Sequence, residues 1–257
     1  MAHVKSSEEI QALQELGKRH AEIIAALEEL AKPGVTTDEL EALACKMVED
    51  GGDKPAFKGY KPAGAPRPFP CALCVAPNDV VVHGIPTELH YTLQSGDIIG
   101  LDLGIERNGL FVDAGKTVAV GAVDHATQEL LYATLEALHL GIAEAHAGST
   151  VGDIGAAIEG FVRKKEYGLV RNLCGHGVGH AVHEEPQVPN FGARGTGETL
   201  EPGMVLAIEP MVNIGTGQVD FLDDGYTVRT RDGSRSAHFE HNVAITDGEP
   251  LVLTSWK

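Results

Sequence analysis

The chain of 257 residues is 43% hydrophobic, enough for one sizeable core, and Lys+Arg 20 against Asp+Glu 37 leaves a formal charge of −17. That sign argues against nucleic acid and against an anionic membrane surface as partners. Met1–Glu9 has no apolar signal core, no stretch approaches the roughly 18 apolar residues of a membrane span, and Cys45, Cys71, Cys74 and Cys174 read as reduced thiols, so a cytoplasmic protein is expected.

Ser6-Ser7-Glu8-Glu9 offers a capping box, after which Ile10, Leu13, Leu16, Ile23, Leu27 and Leu30 recur at mostly helical spacing. This predicts a long amphipathic helix ending at Lys32-Pro33-Gly34. Thr36-Thr37-Asp38-Glu39 caps a second helix, through Leu40, Leu43 and Met47 to Gly51-Gly52. Lys54 to Pro70, rich in Pro and Gly, reads as an irregular loop. Short β-like runs follow at Val80–Val82, Ile98–Leu103, Gly109–Val112 and Lys116–Val120, and they suggest an antiparallel sheet. Helices are then predicted from Asp124 to Ala147 and from Val151 to about Glu166.

Helix, helix, strands thus occurs twice. Gly34, Thr36, Glu39 and Leu40 match Gly148, Thr150, Asp153 and Ile154 at constant offset, and His83-Gly84-Ile85-Pro86 resembles His183-Glu184-Glu185-Pro186. The run from Leu93 through Gly96 to Asp102 aligns with the run from Leu200 through Gly203 to Glu209. An internal repeat is expected, with halves of about 1–122 and 123–257 and a ligand site where they meet.

Between Gly175 and Pro186 stand His176, His180, His183, Glu184 and Glu185, and the glycines of this stretch prevent an ordinary amphipathic helix. Imidazoles so placed invite a search for carboxylates elsewhere. Asp102 and Glu209 lie in equivalent apolar strands, while Asp113 and Glu240 end or interrupt later ones. Buried carboxylates without compensation cost several kcal/mol each. A pair of divalent cations needs bridging and terminal carboxylates and often an imidazole, which is the inventory of Asp102, Asp113, His176, Glu209 and Glu240. Other motifs fall away: Ala114-Gly115-Lys116-Thr117 lacks the phosphate-loop spacing, His183-Glu184-Glu185-Pro186-Gln187 is not H-E-x-x-H, Cys71-Ala72-Leu73-Cys74 has no second pair, and no serine or cysteine triad is evident.

Val82-His83-Gly84-Ile85-Pro86, Asp102, Asp113, Gly175-His176-Gly177-Val178-Gly179, His183-Glu184-Glu185-Pro186, Glu209-Pro210-Met211 and Glu240-His241 resemble, in this order along almost the whole chain, the type I methionine aminopeptidases of the pita-bread metallopeptidase family. The resemblance implies a single catalytic α+β domain spanning 1–257, with two pseudo-symmetric halves and a curved antiparallel sheet covered by helices. It implies removal of the N-terminal methionine from nascent proteins and peptides by a hydroxide bridging two divalent ions, whether Co, Mn, Fe or Zn. Asp102 would chelate one ion, Asp113 and Glu240 would bridge, and His176 and Glu209 would bind the other. Glu209 would also shuttle the proton, and His83 and His183 would contact the peptide and the tetrahedral intermediate. Asn78, Val80 and Ser236 match a family site for one Na or K ion. Peptide or nascent-protein N-termini are the implied partners, with the ribosome a candidate, on a monomeric chain.

Departures lie in the substrate pocket. Tyr60 and Cys74 are retained, but the loop between them is longer and richer in proline. Val182 stands where phenylalanine is usual, Tyr226 where tryptophan is, and His180 and Gly100 replace a basic residue and an asparagine. A reshaped pocket with relaxed selectivity for methionine is therefore expected. An X-Pro aminopeptidase or prolidase shares the fold and metals but usually carries a separate N-terminal domain for which no residues remain. A type II methionine aminopeptidase needs an insertion between His183 and Glu209 that is absent. A non-catalytic pita-bread binding module usually loses ligands, and all five are present.

Overall fold

The computed structural model describes residues 4–256. Met1 to His3 of the N-terminal reading, and Lys257, lie outside the described residues. The first half runs α1 (Ser7–Leu30), α2 (Thr37–Asp50), β1 (Lys54–Pro55), β2 (Leu73–Pro77), β3 (Val80–Val82), α3 (Pro86–Leu89), β4 (Ile98–Arg107) and β5 (Leu110–Ala119). The second half begins with α4 (His125–Ile142), α5 (Val151–Lys164), β6 (Gly168–Leu169), β7 (Gly175–Gly177) and β8 (Glu184–Val188). It continues through β9 (Val205–Ile208), β10 (Met211–Asn213), β11 (Val219–Phe221), β12 (Val228–Thr230), β13 (Ser236–His238), β14 (His241–Ala244) and β15 (Leu251–Val252).

All the strand pairings described are antiparallel. The site rests on two ladders: β4 lies between β2 and β5, and β9 lies between β7 and β14. An isolated bridge between Lys116 and Phe239, and the Glu240 N–H donating to the Gly115 carbonyl at 2.8 Å, bring the ladders together. Helices cover them. Leu13, Leu16, Ile23, Ile24 and Leu27 of α1 pack on the first ladder, and Leu130, Leu138, Ile154 and Ile158 of α4 and α5 pack against Leu206 and Ile208 of the second. These are the helical-period positions whose burial drives the packing.

Corresponding residues of the two halves make the same backbone hydrogen bonds. Gly34 donates to Leu93 and Leu93 to Val35, both at 2.8 Å, as Gly148 donates to Leu200 at 2.9 Å and Leu200 to Ser149 at 2.8 Å. Gly96 donates to Val120 and Gly203 to Ile245, each at 2.9 Å, while Val120 and Ile245 donate back to Asp97 and Met204, each at 2.8 Å. Gly34, Gly96, Gly148 and Gly203 all hold φ between 86° and 97°, a range that suits glycine.

Several boundaries differ from the expected ones. The two runs Gly109–Val112 and Lys116–Val120 form one strand, β5, because Ala114 and Gly115 stay extended and pair with Leu103 and Asp102. Ile98–Leu103 likewise continues to Arg107, where Asn108 and Gly109, at φ 55° and 82°, close a two-residue hairpin. The Lys54–Pro70 loop begins with β1, which pairs with Glu106 and Ile105. The helix from Asp124 ends at Ile142 rather than Ala147, and the one from Val151 at Lys164 rather than Glu166. All four cysteines are free thiols.

Candidate metal centre and substrate cavity

Asp102 faces Gly115 across the β4–β5 ladder and Asp113 faces Gly104, so the two acids are diagonal neighbours on one sheet face. The Asn242 amide fixes Asp113 by accepting from its N–H at 2.8 Å and donating to its carbonyl at 2.6 Å. His176 lies on β7 opposite Ala207. Glu209 follows the last residue of β9, which lies inside its sheet, and Glu240 sits in the step between β13 and β14.

The five side chains converge. Asp102, Asp113, His176 and Glu240 are 9%, 4%, 9% and 2% exposed, and the Glu209 side chain is 12% exposed, so all are largely withdrawn from water. Oδ1 of Asp102, Oδ1 of Asp113 and Oε1 of Glu240 are buried without a hydrogen-bond partner. Among the described residues, imidazoles supply the only basic nitrogens within 4 Å of these carboxylates. Burial raises all four acids above the usual carboxylate range, and their mutual repulsion adds to it: Asp113 presses on Asp102 and Glu240, and Glu209 on Asp113.

His176 carries the clearest chemical signal. Its Nδ1 lies 2.9 Å from the Gly177 carbonyl, an acceptor only, so Nδ1 bears the hydrogen and Nε2 a lone pair. That lone pair stands 3.7 Å from Glu209 Oε1 and 3.9 Å from Asp113 Oδ2, an arrangement a cation among them would stabilise. Burial pushes the imidazole down to about 3, which keeps it neutral. Three overlapping sets have ligand atoms within 4.8 Å of one another: Asp113, His176 and His183; His176, Glu209 and Glu240; Asp102, His238 and Glu240. Hard oxygens with an imidazole, orphaned and buried, fit divalent cations.

These groups form the floor of a cavity of about 510 Å³ whose walls include Phe57, Tyr60, Phe69, Cys74, Leu173 and Tyr226. A second cavity of about 510 Å³ shares His83, His176, His183 and Glu209 and extends past Asn172, Cys174 and Gln187. His83 borders both. It holds φ 61°, uncommon for a non-glycine residue, and burial with the fields of His183 and His238 pushes it down to about 4. His183 keeps an exposed edge, with Nδ1 2.9 Å from the Tyr60 hydroxyl and its ring 4.3 Å from that of His176. Crowding by its neighbours lowers its pKa.

Tyr226 meets Phe69 edge to face at 5.1 Å and donates its hydroxyl to the Arg67 carbonyl. Val182 is buried with Phe57, Phe69, Cys71, Cys74 and Ile85, behind the wall rather than on it. The structure brings Asn78 and Ser236 together, the Ser236 N–H donating to the Asn78 carbonyl at 2.9 Å, beside Val80 on β3.

Two features are missing from the expectations above. His238 places Nε2 3.5 Å from Glu209 Oε2 and 3.8 Å from Glu240 Oε2. Its i, i+2 spacing from Glu240 on an extended segment was the available signal. Lys5 reaches across the fold to Glu184 at 2.5 Å, with both side chains buried. Glu184 also accepts from the backbone N–H groups of His180 and Ala181, which ties down the loop that carries His183.

Acidic and imidazole donors orphaned at the floor of an apolar-walled cavity define a metal-dependent hydrolase. The chain belongs to metallopeptidase family M24, which matches residues 11–247. It is 41% identical over 254 residues to the methionine aminopeptidase of Clostridium perfringens, covering 99% of each chain. The crystal structure of methionine aminopeptidase from Rickettsia prowazekii superposes with a TM-score of 0.94 at 34% identity, covering 99% of this chain and 100% of that one. The prolidase of Pyrococcus furiosus, at 22% identity and a TM-score of 0.75 over 66% of its length, shares the pita-bread fold.

Proposed function

We propose that the chain is a single catalytic domain, residues 1–257 with halves of about 1–122 and 123–257, that removes N-terminal methionine from nascent proteins and peptides. The observation that carries this reading is the convergence of Asp102, Asp113, His176, Glu209 and Glu240, with orphaned oxygens, at the floor of an apolar cavity. The relatives' names supply the substrate class. The five residues would hold two divalent cations, and their oxygen and nitrogen donors suit Co, Mn, Fe and Zn. Bound there, the cations would supply Lewis acidity and a water nucleophile at neutral pH.

The chain's own residues do the rest. Phe57, Phe69, Cys74 and Tyr226 enclose the first side chain of the peptide and exclude water, with Tyr60 beside His183. Tyr60 orients His183 through Nδ1, so that Nε2 faces the reacting carbonyl, and His83 lines the same cavity. Glu209, whose carboxyl is raised by burial, takes the proton of the attacking water and returns it to the leaving amine. Asn78, Val80 and Ser236 are the proposed site of one Na or K ion. A monomer working in the cytoplasm, with the ribosome as source of nascent chains, completes the reading; among the described residues no helix is long and apolar enough to cross a membrane.

Val182 behind the wall and Tyr226 on it reshape the pocket, which relaxes selectivity. A methylene-scale change there is worth about 1–3 kcal/mol. The test is kcat/KM on Met-, Leu- and Ala-initiated peptides and on Ala-Pro-Ala. Release of Met with a shallow preference over Leu supports the reading. A preference for Ala before Pro moves the chain to the X-Pro branch, where identity is lower, and no release from any peptide with metals bound leaves a binding module.

A further inference from the structure

His238 belongs to none of the five residues assigned above, yet its Nε2 stands 3.5 Å from Glu209 and 3.8 Å from Glu240, two of those five. It ends β13 opposite Met211, and its backbone is held on the other side by Thr117, whose hydroxyl donates to the His238 carbonyl at 2.8 Å and accepts from its N–H at 2.9 Å. The residue is 3% exposed, and Nε2 is buried with no hydrogen-bond partner. Gly115 leaves the room the ring occupies: a Cβ there would stand 3.0 Å from Cε1 of His238 and 3.2 Å from Cβ of Asp102.

The distances repeat those of His176. His176 Nε2 stands 3.7 and 3.9 Å from two carboxylate oxygens, and His238 Nε2 stands 3.5 and 3.8 Å from two others, too long for hydrogen bonds in both cases. A ring nitrogen with nothing to bond to is costly to bury, and here it points into a cluster of acids. Asp102, His238 and Glu240 have ligand atoms within 4.8 Å of one another, as do His176, Glu209 and Glu240.

We propose that His238 Nε2 is a ligand of the cation on the Asp102 side, together with Asp102 and Glu240, so that each of the two cations takes one imidazole. This rests on the dinuclear reading above. It adds a nitrogen donor to the second position, which shifts that position from Mn toward metals that favour imidazole, such as Fe, Co and Zn.

The test uses Co2+ on the full chain, with calorimetric titration and proton NMR of the loaded protein, in which ring N–H protons of ligating imidazoles move far outside the normal range. In the wild-type protein two such signals are expected, one for His176 and one for His238. His238→Gln should lose one signal and weaken one Co2+ by about tenfold or more, since outer partners of a site already cost about 10–100-fold. A single shifted signal in the wild-type protein overturns the proposal without any variant. Unchanged Co2+ binding in folded His238→Gln does the same. Asp102→Asn separates the two levels: weakened binding there with unchanged binding in His238→Gln removes only the His238 ligand, whereas unchanged binding in both removes the dinuclear centre as well.

Discussion

A single ring nitrogen carries much of the chemical argument. Because Nδ1 of His176 is committed to the Gly177 carbonyl, its Nε2 lone pair faces two carboxylates, and a cation among them would satisfy all three. Replacing His176 with Ala or Asp102 with Asn should lower kcat at least about 100-fold with the far-UV circular dichroism unchanged. Asp102→Asn should also raise the melting temperature of the metal-free protein at neutral pH, since the folded state no longer has to hold a proton that the unfolded chain has lost. Normal turnover in the metal-loaded Asp102→Asn protein would contradict the assignment. Asp102, Asp113 and Glu209 were legible in the sequence because each ends or interrupts an apolar run, and Glu240 through the resemblance. His238 was harder to read: its i, i+2 spacing from Glu240 was the local signal, and its other neighbours, Glu209 and Asp102, come from other strands.

At the scale of elements, local chemistry was readable and distant pairing was not. The capping boxes at Ser6 with Glu9 and Thr36 with Glu39 start α1 and α2 where their sequences place them. Gly115 lies between the two β-like runs expected at Gly109–Val112 and Lys116–Val120, yet it sits inside β5, where Asp102 and His238 take up the space above it. Strands of two or three residues, such as β1, β6 and β7, have too little sequence to show a period, and tertiary pairing alone defines them. The Lys5–Glu184 pair joins residues 179 apart, so no window could reveal it. Lys5→Met leaves the Glu184 carboxylate buried with its partner removed, and breaking such a pair costs about 3–5 kcal/mol. Urea denaturation should show that loss. Activity should fall with it, as the loop carrying His183 loosens; stability within about 0.5 kcal/mol of wild type would show that the clamp is not needed.

Across the whole molecule, the Lys116–Phe239 bridge and the Glu240–Gly115 hydrogen bond bring two ladders together so that each contributes acids to one floor, where their ionised forms repel one another. The consequence is a pH dependence. Asp113 and Glu209 are raised from their ordinary values of 3.8 and 4.5 to about 8, and Asp102 and Glu240 are raised in the same direction. The folded metal-free protein therefore holds protons that the unfolded chain has lost, and stability falls as pH rises toward 8. His20, His83, His176 and His241, lowered from 6.5 to about 3 or 4, act oppositely, but only below 6.5. Between pH 6.5 and 8 the metal-free melting temperature should drop, and excess Co2+ should raise it more at pH 8 than at 6.5. A flat profile with no effect of Co2+ would contradict this. The two-halved outline was legible because the repeat left matching residues in both halves, while the pita-bread fold itself was read from the resemblance. The wall of the cavity was less so, since Val182 and Tyr226 reveal which side faces the substrate only once Phe69 and Arg67 are in place.

The most direct measurement is release of methionine from Met-Ala-Ser by metal-stripped protein, before and after addition of Co, Mn or Fe. Release that is absent without metal and restored by at least one of these ions is the predicted result. Release undiminished after stripping, or none with any metal bound, would contradict a dinuclear centre built on Asp102, Asp113, His176, Glu209 and Glu240.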